Sequence, residues 1–383
     1  MISLFDKKTH PIGLDLGTDC IKMIQFESTS AGIAIRAAAH YNFPPEIGPE
    51  SSQRIDLACD AIKQMVRKNP FRGRKVVCAL SDSDLVIKTV RLTLQKNSGI
   101  EQTVMEETAK KIPFDINLAQ IQYLPGGIIH QGEDKLNEVI VLAAKQEDID
   151  NQINFISSLG LEPVAIDAGP CALFRSFERL LLRTEDAEEV TFIVDIGNSS
   201  SKVVIGHGSE LIFIKIINIG TRNINEAVAR ELGLSYGEAA KVRKRLASNN
   251  ASDKMVESTK DDEMEKEIHT ASWPVLTELA KEISLCMRYH AVTFRGFRPK
   301  SLKFTGGEAY FQETAEFLTR TLSIPVETGH PFKYLNTSKV DVMGNRRRPA
   351  PIWAVCVGLG LRGLLIKNKN LEPESNHEVE TAA

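Results

Sequence analysis

The sequence IGLDLGTDCIKMIQF, residues 12–26, has the pattern of a strand, a tight polar turn and a second strand. The pattern occurs twice, because TFIVDIGNSSSKVVI at residues 191–205 aligns with it without a gap. Both copies contain Asp, an apolar residue, Gly, four further residues and Lys. A supersecondary unit repeated this far apart indicates a duplicated domain. We therefore expect two related halves.

The turn of each copy has the chemistry of an anion site. Its glycine, Gly17 or Gly197, lets backbone N–H groups approach an oxyanion closely. The Thr, Asn and Ser residues that follow supply hydroxyl and amide donors, and the lysine supplies a positive charge. One copy alone would favour an ordinary hairpin with a polar tip. Two matched copies favour a pair of hairpins that hold a polyphosphate from both sides.

Composition restricts the classes of function. The chain has 383 residues, 42% apolar and 25% charged, which is typical of a globular protein with two domains. A formal net charge of -3 gives no indication of a nucleic-acid partner. No apolar run approaches the ~20 residues that span a bilayer, and no signal peptide is expected. The cysteines lack CxxC spacing, which argues against disulfides and structural zinc and favours the cytoplasm.

Changes of pattern along the chain predict its division into units. Pro44 and Pro45 interrupt the first unit. A strongly acidic stretch with few apolar residues is typical of a mobile connector. The predicted units are a first lobe at 1–40 and 145–187, an inserted α/β unit at 41–144, a second lobe at 188–367 with a mobile connector at 249–270, and a disordered tail at 368–383. In the insertion we predict strands on either side of Pro125-Gly126-Gly127.

Gly358, Gly360 and Gly363 form a literal GxGxxG after an apolar run. A dinucleotide fingerprint needs a βαβ unit and an acidic residue about 20 positions later. Only a charged tail follows here. We therefore interpret these glycines as the side of a helix that a neighbouring element approaches closely.

The two hairpins, with a later strand that runs into Gly306-Gly307, resemble the actin-like ATPase superfamily. Three further stretches, AIDAGP at 165–170, NEAVARELGLSYGEAAKV at 225–242 and WAVCVGLGLRG at 353–363, resemble the PilM family, the FtsA-like proteins of the type IV pilus machine. The resemblance covers residues 11–367. It implies an α/β, actin-like (ribonuclease H-like) duplicated fold with two lobes and an inserted FtsA/PilM-type subdomain.

The resemblance also implies ATP with Mg²⁺ between the lobes. It assigns one side of the phosphate site to Asp15, Gly17, Thr18, Asp19 and Lys22, and the other side to Gly197, Asn198, Ser199, Ser200 and Lys202. Asp15 and Asp195 would hold the metal ion through water. Gly306 and Gly307 would contact the adenosine, and Glu226, Glu238 and Lys241 would contact the ribose and base. Two departures from the family, Asp19 with Cys20 and Glu308 in place of a third glycine, are expected to affect nucleotide affinity.

The function implied is that of an ATP-binding cytoplasmic scaffold at the inner face of the inner membrane, whose two lobes close when nucleotide binds. Its expected partners are the N-terminal peptide of a PilN-like inner-membrane protein, other pilus components of that membrane, and further copies of itself. We expect at most slow ATP hydrolysis, because no base beyond Asp15 and Asp195 can be named as a catalytic group.

Three alternatives stay open at this point. One is a scaffold of a pilus or type II secretion system that no longer binds nucleotide. Another is an FtsA-like filament protein, against which stands the polar sequence LEPESNHEVETAA at 371–383, since that family ends in an amphipathic helix. The third is a metabolite kinase, for whose usual layout the insertion begins too early.

Overall fold

Two five-stranded sheets with related strand orders dominate the computed structural model, which describes residues 9–30, 32–48, 51–92, 100–131, 134–178, 189–250, 259–294, 299–340 and 350–369. The strands are β1 Thr9–Leu16, β2 Cys20–Thr29, β3 Gly32–Asn42, β4 Lys75–Ala79, β5 Val86–Leu92, β6 Ala119–Gln131, β7 Asp134–Lys145, β8 Glu162–Asp167, β9 Val190–Ile196, β10 Ser201–His207, β11 Glu210–Ile217, β12 Leu302–Gly306 and β13 Val326–Thr328. The helices are α1 Gln53–Lys68, α2 Ile100–Ala109, α3 Gln146–Ser158, α4 Gly169–Glu178, α5 Thr221–Leu232, α6 Tyr236–Asn250, α7 Thr259–Thr293, α8 Gln312–Leu322 and α9 Ala354–Lys369.

The two sheets have the same topology. Their orders are β3-β2-β1-β4-β8 and β11-β10-β9-β12-β13. In each, the first three strands form an antiparallel meander, and the last two are parallel to the first strand of the repeated hairpin. The predicted duplication of an α/β unit is thereby confirmed, with β1–β2 and β9–β10 at equivalent places.

The last helix, α9, packs on the first sheet, although the sequence analysis placed residues up to 367 in the second lobe. Cys356, Val357 and Leu361 share a buried cluster with Ile24 and Phe26 of β2. The glycines of α9 permit this contact, as predicted. A Cβ on Gly358 would collide with the Ala172 carbonyl oxygen of α4, and one on Gly360 would lie 2.6 Å from the Phe26 ring.

The insertion is smaller than the range 41–144 that the sequence predicts. Strand β4 pairs in parallel with β1 and β8, and α1 packs Ile62 and Met65 against the same sheet, so both belong to the first lobe. The inserted sheet has the order β5-β7-β6 and is covered by α2. The boundary was misplaced because the pairing of β4 with β1 is a long-range contact without a local signature.

The stretch Pro125-Gly126-Gly127 does not separate two strands, contrary to the prediction. It lies inside β6, where the register with β7 shifts between Pro125 and Gly127. Proline cannot donate a ladder hydrogen bond, and it is therefore tolerated at a bulge or in an edge strand, both of which apply to β6.

The predicted mobile connector at 249–270 is largely helical. Residues 249–250 end α6, and α7 begins at Thr259; residues 251–258 lie outside the described residues. The prediction failed for α7 because Glu, Lys and Met favour helix, and because Ile268 and Ala271 bury against α5 and α6. We call α5, α6 and the first half of α7 the helical cap.

In the part of the chain that is described, no helix combines the length and the apolarity required to traverse a bilayer. Of the tail predicted to be disordered, residues 370–383 lie outside the described residues.

Candidate functional site

The tips of the two repeated hairpins contact each other. The Ser199 hydroxyl donates to Thr18 Oγ1 at 2.9 Å, and the Asn198 side-chain amide lies 3.4 Å from the same oxygen. The tips follow the carboxyl ends of β1 and β9, which are the central strands of the two sheets, and we call the region where the tips meet the cleft. The predicted phosphate residues of both hairpins are therefore close together, with the hydroxyl groups of the two tips in direct contact.

The lysine of the first hairpin is held by the aspartate of the same hairpin. Lys22 is the cross-strand neighbour of Asp15, and its ammonium lies 2.8 Å from the Asp15 carboxylate. Burial acts to lower the pKa of Lys22, but the Asp15 charge outweighs it and the pKa is raised well above its usual value. Lys22 is therefore a buried, positively charged group of the first hairpin.

The second hairpin repeats this arrangement with one addition. Lys202 is the cross-strand neighbour of Asp195, and these two side chains are 3.6 Å apart. The ammonium of Lys202 lies closer, at 2.8 Å, to the carboxylate of Asp82. Burial acts to lower the pKa of Lys202, but Asp82 and Asp195 together raise it. Thr305 of β12 donates to Asp195 at 3.0 Å and fixes that carboxylate.

Asp82 was not singled out by the sequence analysis. It follows β4, and β4 is parallel to β1, so its side chain reaches the same edge of the sheet as the first hairpin. The Ser200 hydroxyl also donates to Asp82. A carboxylate of the chain itself is thus bound by Ser200 and Lys202, two of the groups predicted to bind phosphate.

The Gly-Gly turn lies at the end of β12, next to the second hairpin. Gly306 has φ +89°, in the left-handed region that favours glycine, and a Cβ there would collide with the backbone of Ile196. At Gly307 a Cβ would meet no atom, so the space beside the turn is open. The predicted adenosine side therefore offers a backbone surface without side chains.

Glu308, which replaces a third glycine, is fully buried and joins several elements. Its carboxylate accepts from Arg243 of α6, from Thr221 at 3.0 Å and from Thr314 at 3.2 Å. Arg243 is also buried and donates to Asn225 at 2.7 Å. Glu308 thus forms a buried ion pair with Arg243 that fastens the helical cap to the Gly-Gly turn.

The three residues predicted for ribose and base have other partners. Glu226 pairs with Arg222 on α5 at 2.8 Å. Glu238 caps α6 through Ser235, whose backbone N–H and hydroxyl donate to it at 2.9 and 2.6 Å. Lys241 lies 2.5 Å from Glu46 of the first lobe.

A second ion pair crosses the cleft beside Lys241. It joins Lys244 of α6 to Asp19 of the first hairpin at 3.4 Å. Both pairs are exposed to solvent. They connect the helical cap to the first lobe, so that Asp19 interacts with a lysine of the opposite lobe.

The donor set at the hairpins fits an anion with a bound magnesium ion. It combines turn glycines, hydroxyls, the buried Lys22 and the half-buried Lys202, and Asp15 and Asp195 offer carboxylates close by. Entry of a phosphate group between the tips requires separation of Thr18 from Ser199 and displacement of Asp82 from Lys202.

A groove of about 900 Å³ runs between the insertion and the first lobe. Its walls include β6 from the insertion and β8 from the first lobe. Its apolar lining includes Leu80, Leu85, Leu124, Leu142, Ile149, Ile153 and Leu211, with Gln120, Gln122 and Gln146 among them.

The floor of this groove is rigidly held. Arg175 donates to Asp167 of β8 at 2.6 Å and to the backbone oxygen of Gly358 in α9 at 3.1 Å. Cys171 also lines the groove, and burial raises the pKa of its thiol to about 12, so the thiol is neutral. The sequence analysis expected a PilN-like partner from the resemblance but assigned no residue to its binding.

Comparison with known proteins agrees with this architecture. A family described as "Type IV pilus assembly protein PilM" matches residues 13–364. A solved structure titled "PilM-PilN type IV pilus biogenesis complex" is 24% identical with a TM-score of 0.74, covering 93% of this chain and 98% of that chain. The structure of the ethanolamine utilization protein EutJ from Carboxydothermus hydrogenoformans is 13% identical with a TM-score of 0.52, covering 94% of this chain and 92% of that chain. The predicted actin-like fold is confirmed.

Proposed function

Because the chain belongs to the family of the type IV pilus assembly protein PilM, we propose that it is a scaffold that holds an extended segment of a PilN-like inner-membrane protein in its groove. The solved structure similar to this chain is titled as a complex of PilM with PilN. A partner anchored in the membrane would keep the scaffold in the cytoplasm, at the inner face of the inner membrane.

The observation that carries this proposal is the pair of sheet edges in the groove. Strand β8 ends the first sheet, and β6 ends the inserted sheet. Among the described residues, neither strand pairs with a further strand on its outer side. Such edges present unpaired backbone donors and acceptors to which an extended peptide can add as a new strand. A groove between two edges is therefore suited to an extended peptide.

The lining indicates the chemistry of that peptide. Alternate side chains of an extended segment point in opposite directions. In this groove they would meet apolar groups such as Leu124, Leu142 and Ile153, with glutamine amides between them. The segment is therefore expected to carry apolar side chains on the face that enters the groove and to be held by backbone hydrogen bonds.

A nucleotide site between the hairpins is the second part of the proposal. The buried Lys22 and the half-buried Lys202 supply positive charge from the two hairpins, and Thr18, Ser199 and Ser200 supply hydroxyl donors. Asp15 and Asp195 would hold Mg²⁺ through water. A bound Mg·ATP supplies the charge that draws both hairpins toward one ligand.

Nucleotide binding between the hairpin tips would change the position of one lobe relative to the other. The hydroxyl contact between Thr18 and Ser199 would be replaced by contacts of both hairpins to phosphate, so the two lobes would close around the ligand instead of directly on each other. Because the groove lies between the first lobe and the insertion, and Leu211 of the second lobe also lines it, such a movement would reach the partner site.

The groove is tested with Ile153→Arg. Ile153 lies on α3 in the groove and is 36% exposed, so that arginine is tolerated in the free protein. The matched control is Ile55→Arg, because Ile55 is also an exposed isoleucine on a helix and does not line the groove. The measurement is calorimetric titration with a synthetic peptide of the cytoplasmic N-terminus of the PilN-like protein from the same organism.

We expect Ile153→Arg to weaken peptide binding by more than about tenfold, or ~1.4 kcal/mol, while Ile55→Arg leaves it unchanged. The reason is that a charged guanidinium would replace an apolar side chain in the wall of the groove. Unchanged binding in Ile153→Arg, or an equal loss in both variants, would refute the assignment of the groove.

A scaffold without nucleotide is the second candidate, and the contact of Asp82 with Lys202 and Ser200 favours it. In that case the ion pair would hold the cleft closed permanently. Titration of Mg·ATP into the wild-type protein distinguishes the two candidates, since only the first predicts saturable binding. The groove assignment does not depend on this result.

A further inference from the structure

Three potential metal ligands meet in the second lobe, and none of them lines the groove. Glu265 and His269 lie on α7, and Glu313 lies in the first turn of α8. One ligand atom from each of the three side chains lies within 4.8 Å of the other two. No residue of this cluster belongs to the predicted nucleotide site.

The local structure explains why the three side chains converge. Residues four positions apart on a helix share one face, so Glu265 and His269 point in the same direction from α7. Glu313 approaches from the positive N-terminal end of α8, which favours a carboxylate. Two helices therefore hold one imidazole and two carboxylates close together.

We propose that Glu265, His269 and Glu313 form a binding site for a divalent first-row transition metal ion of the Zn²⁺ class. Imidazole suits Zn²⁺, Ni²⁺ and Co²⁺, whereas Mg²⁺ and Ca²⁺ prefer sites made only of oxygen ligands. Three protein ligands leave at least one position for water or an external group.

The cluster borders a cavity of about 200 Å³, which gives an external group access to that position. The cavity is also lined by Trp273, Phe311 and Phe317, together with the charged residues Glu316 and Arg320. Arg243 lines it too, but its guanidinium is committed to Glu308 and Asn225. The net charge of the ligand set itself favours a cation.

A metal ion at this position would connect two parts of the second lobe. Ile268 of α7 lies in the buried cluster of the helical cap, whereas Leu318 of α8 belongs to the core of the second sheet. The ion would therefore fasten the helical cap to the sheet beside the buried pair of Glu308 and Arg243. The sequence gives little sign of this site, because Glu313 is remote from the other two ligands along the chain.

The chain carries a natural reporter for the test. It has two tryptophans, of which Trp353 is 1% exposed and Trp273 is 51% exposed. Trp273 lies one turn after His269 on α7 and lines the same cavity. Ni²⁺ quenches nearby indole fluorescence, so titration of tag-free full-length protein with NiCl₂ measures binding. Zn²⁺ then competes for the site, with Mg²⁺ as the negative control.

We expect saturable quenching that Zn²⁺ reverses and Mg²⁺ does not. His269→Ala and Glu313→Gln should weaken Ni²⁺ binding by at least ~10-fold, since loss of even an outer-shell partner costs about 10–100-fold. Glu316→Gln is the matched control, because Glu316 lines the cavity outside the cluster. Equal dissociation constants for wild type and His269→Ala, or an equal loss in Glu316→Gln, would overturn the proposal.

Discussion

The substitution Asp82→Asn tests whether the chain's own carboxylate competes with nucleotide phosphate. It removes the charge that lies 2.8 Å from Lys202 but retains the shape of the side chain. Lys202 keeps Asp195 at 3.6 Å, so the variant does not leave a buried charge without a partner. The ammonium and the Ser200 hydroxyl then become available to an incoming phosphate.

The expected gain follows from the strength of the contact. A hydrogen bond to a charged group contributes about 1.5–3 kcal/mol, and the phosphate no longer has to break it. The affinity for Mg·ATP should therefore rise by about 10- to 100-fold, since each 1.4 kcal/mol corresponds to tenfold. The free protein should lose stability, because the contact between the first lobe and the second hairpin is weakened.

The assay is calorimetric titration of Mg·ATP into wild type, Asp82→Asn and Asp84→Asn. Asp84 lies in the same turn and accepts from Ser83 instead of contacting the second hairpin, so its variant is the matched control. Equal or weaker affinity in Asp82→Asn would show that Asp82 does not compete with phosphate. An equal gain in Asp84→Asn would show that the overall charge, and not the ion pair, is responsible.

Two further substitutions test the packing that supports the site. Glu308→Gln removes one charge of the buried pair with Arg243, and chemical denaturation should show a loss of about 3–5 kcal/mol in the free energy of unfolding; a loss below 1 kcal/mol would contradict the role of that pair. Gly358→Ala places a methyl group against Ala172 of α4 and should lower the free energy of unfolding by ~1–3 kcal/mol in the same measurement. A neutral outcome would mean that α9 does not need glycine there.

The elements near the hairpins could be predicted because local patterns determine them. The strand, glycine turn and strand of each hairpin are contained in a short window of sequence. The repetition of the hairpin then predicted the duplicated fold. The same reasoning identified the glycines of α9 as packing positions.

The features that sequence reasoning missed depend on contacts between distant residues. The insertion boundary depends on the pairing of β4 with β1, and the function of Asp82 depends on Lys202 across the cleft. Glu308 was noted only as a departure from a family pattern, whereas its meaning lies in Arg243 of α6. The function of a charged side chain depends on the charged groups near it. A single sequence does not show which of these groups lie close together in the fold.

The placement of the partner segment in the groove is tested most directly by photocrosslinking in the purified complex. A benzoylphenylalanine is introduced at position 153 in the groove or at position 55 on α1, and each protein is irradiated with the PilN-like cytoplasmic peptide. The account predicts a covalent adduct with the peptide from position 153 and none from position 55. An adduct from position 55 alone would contradict it.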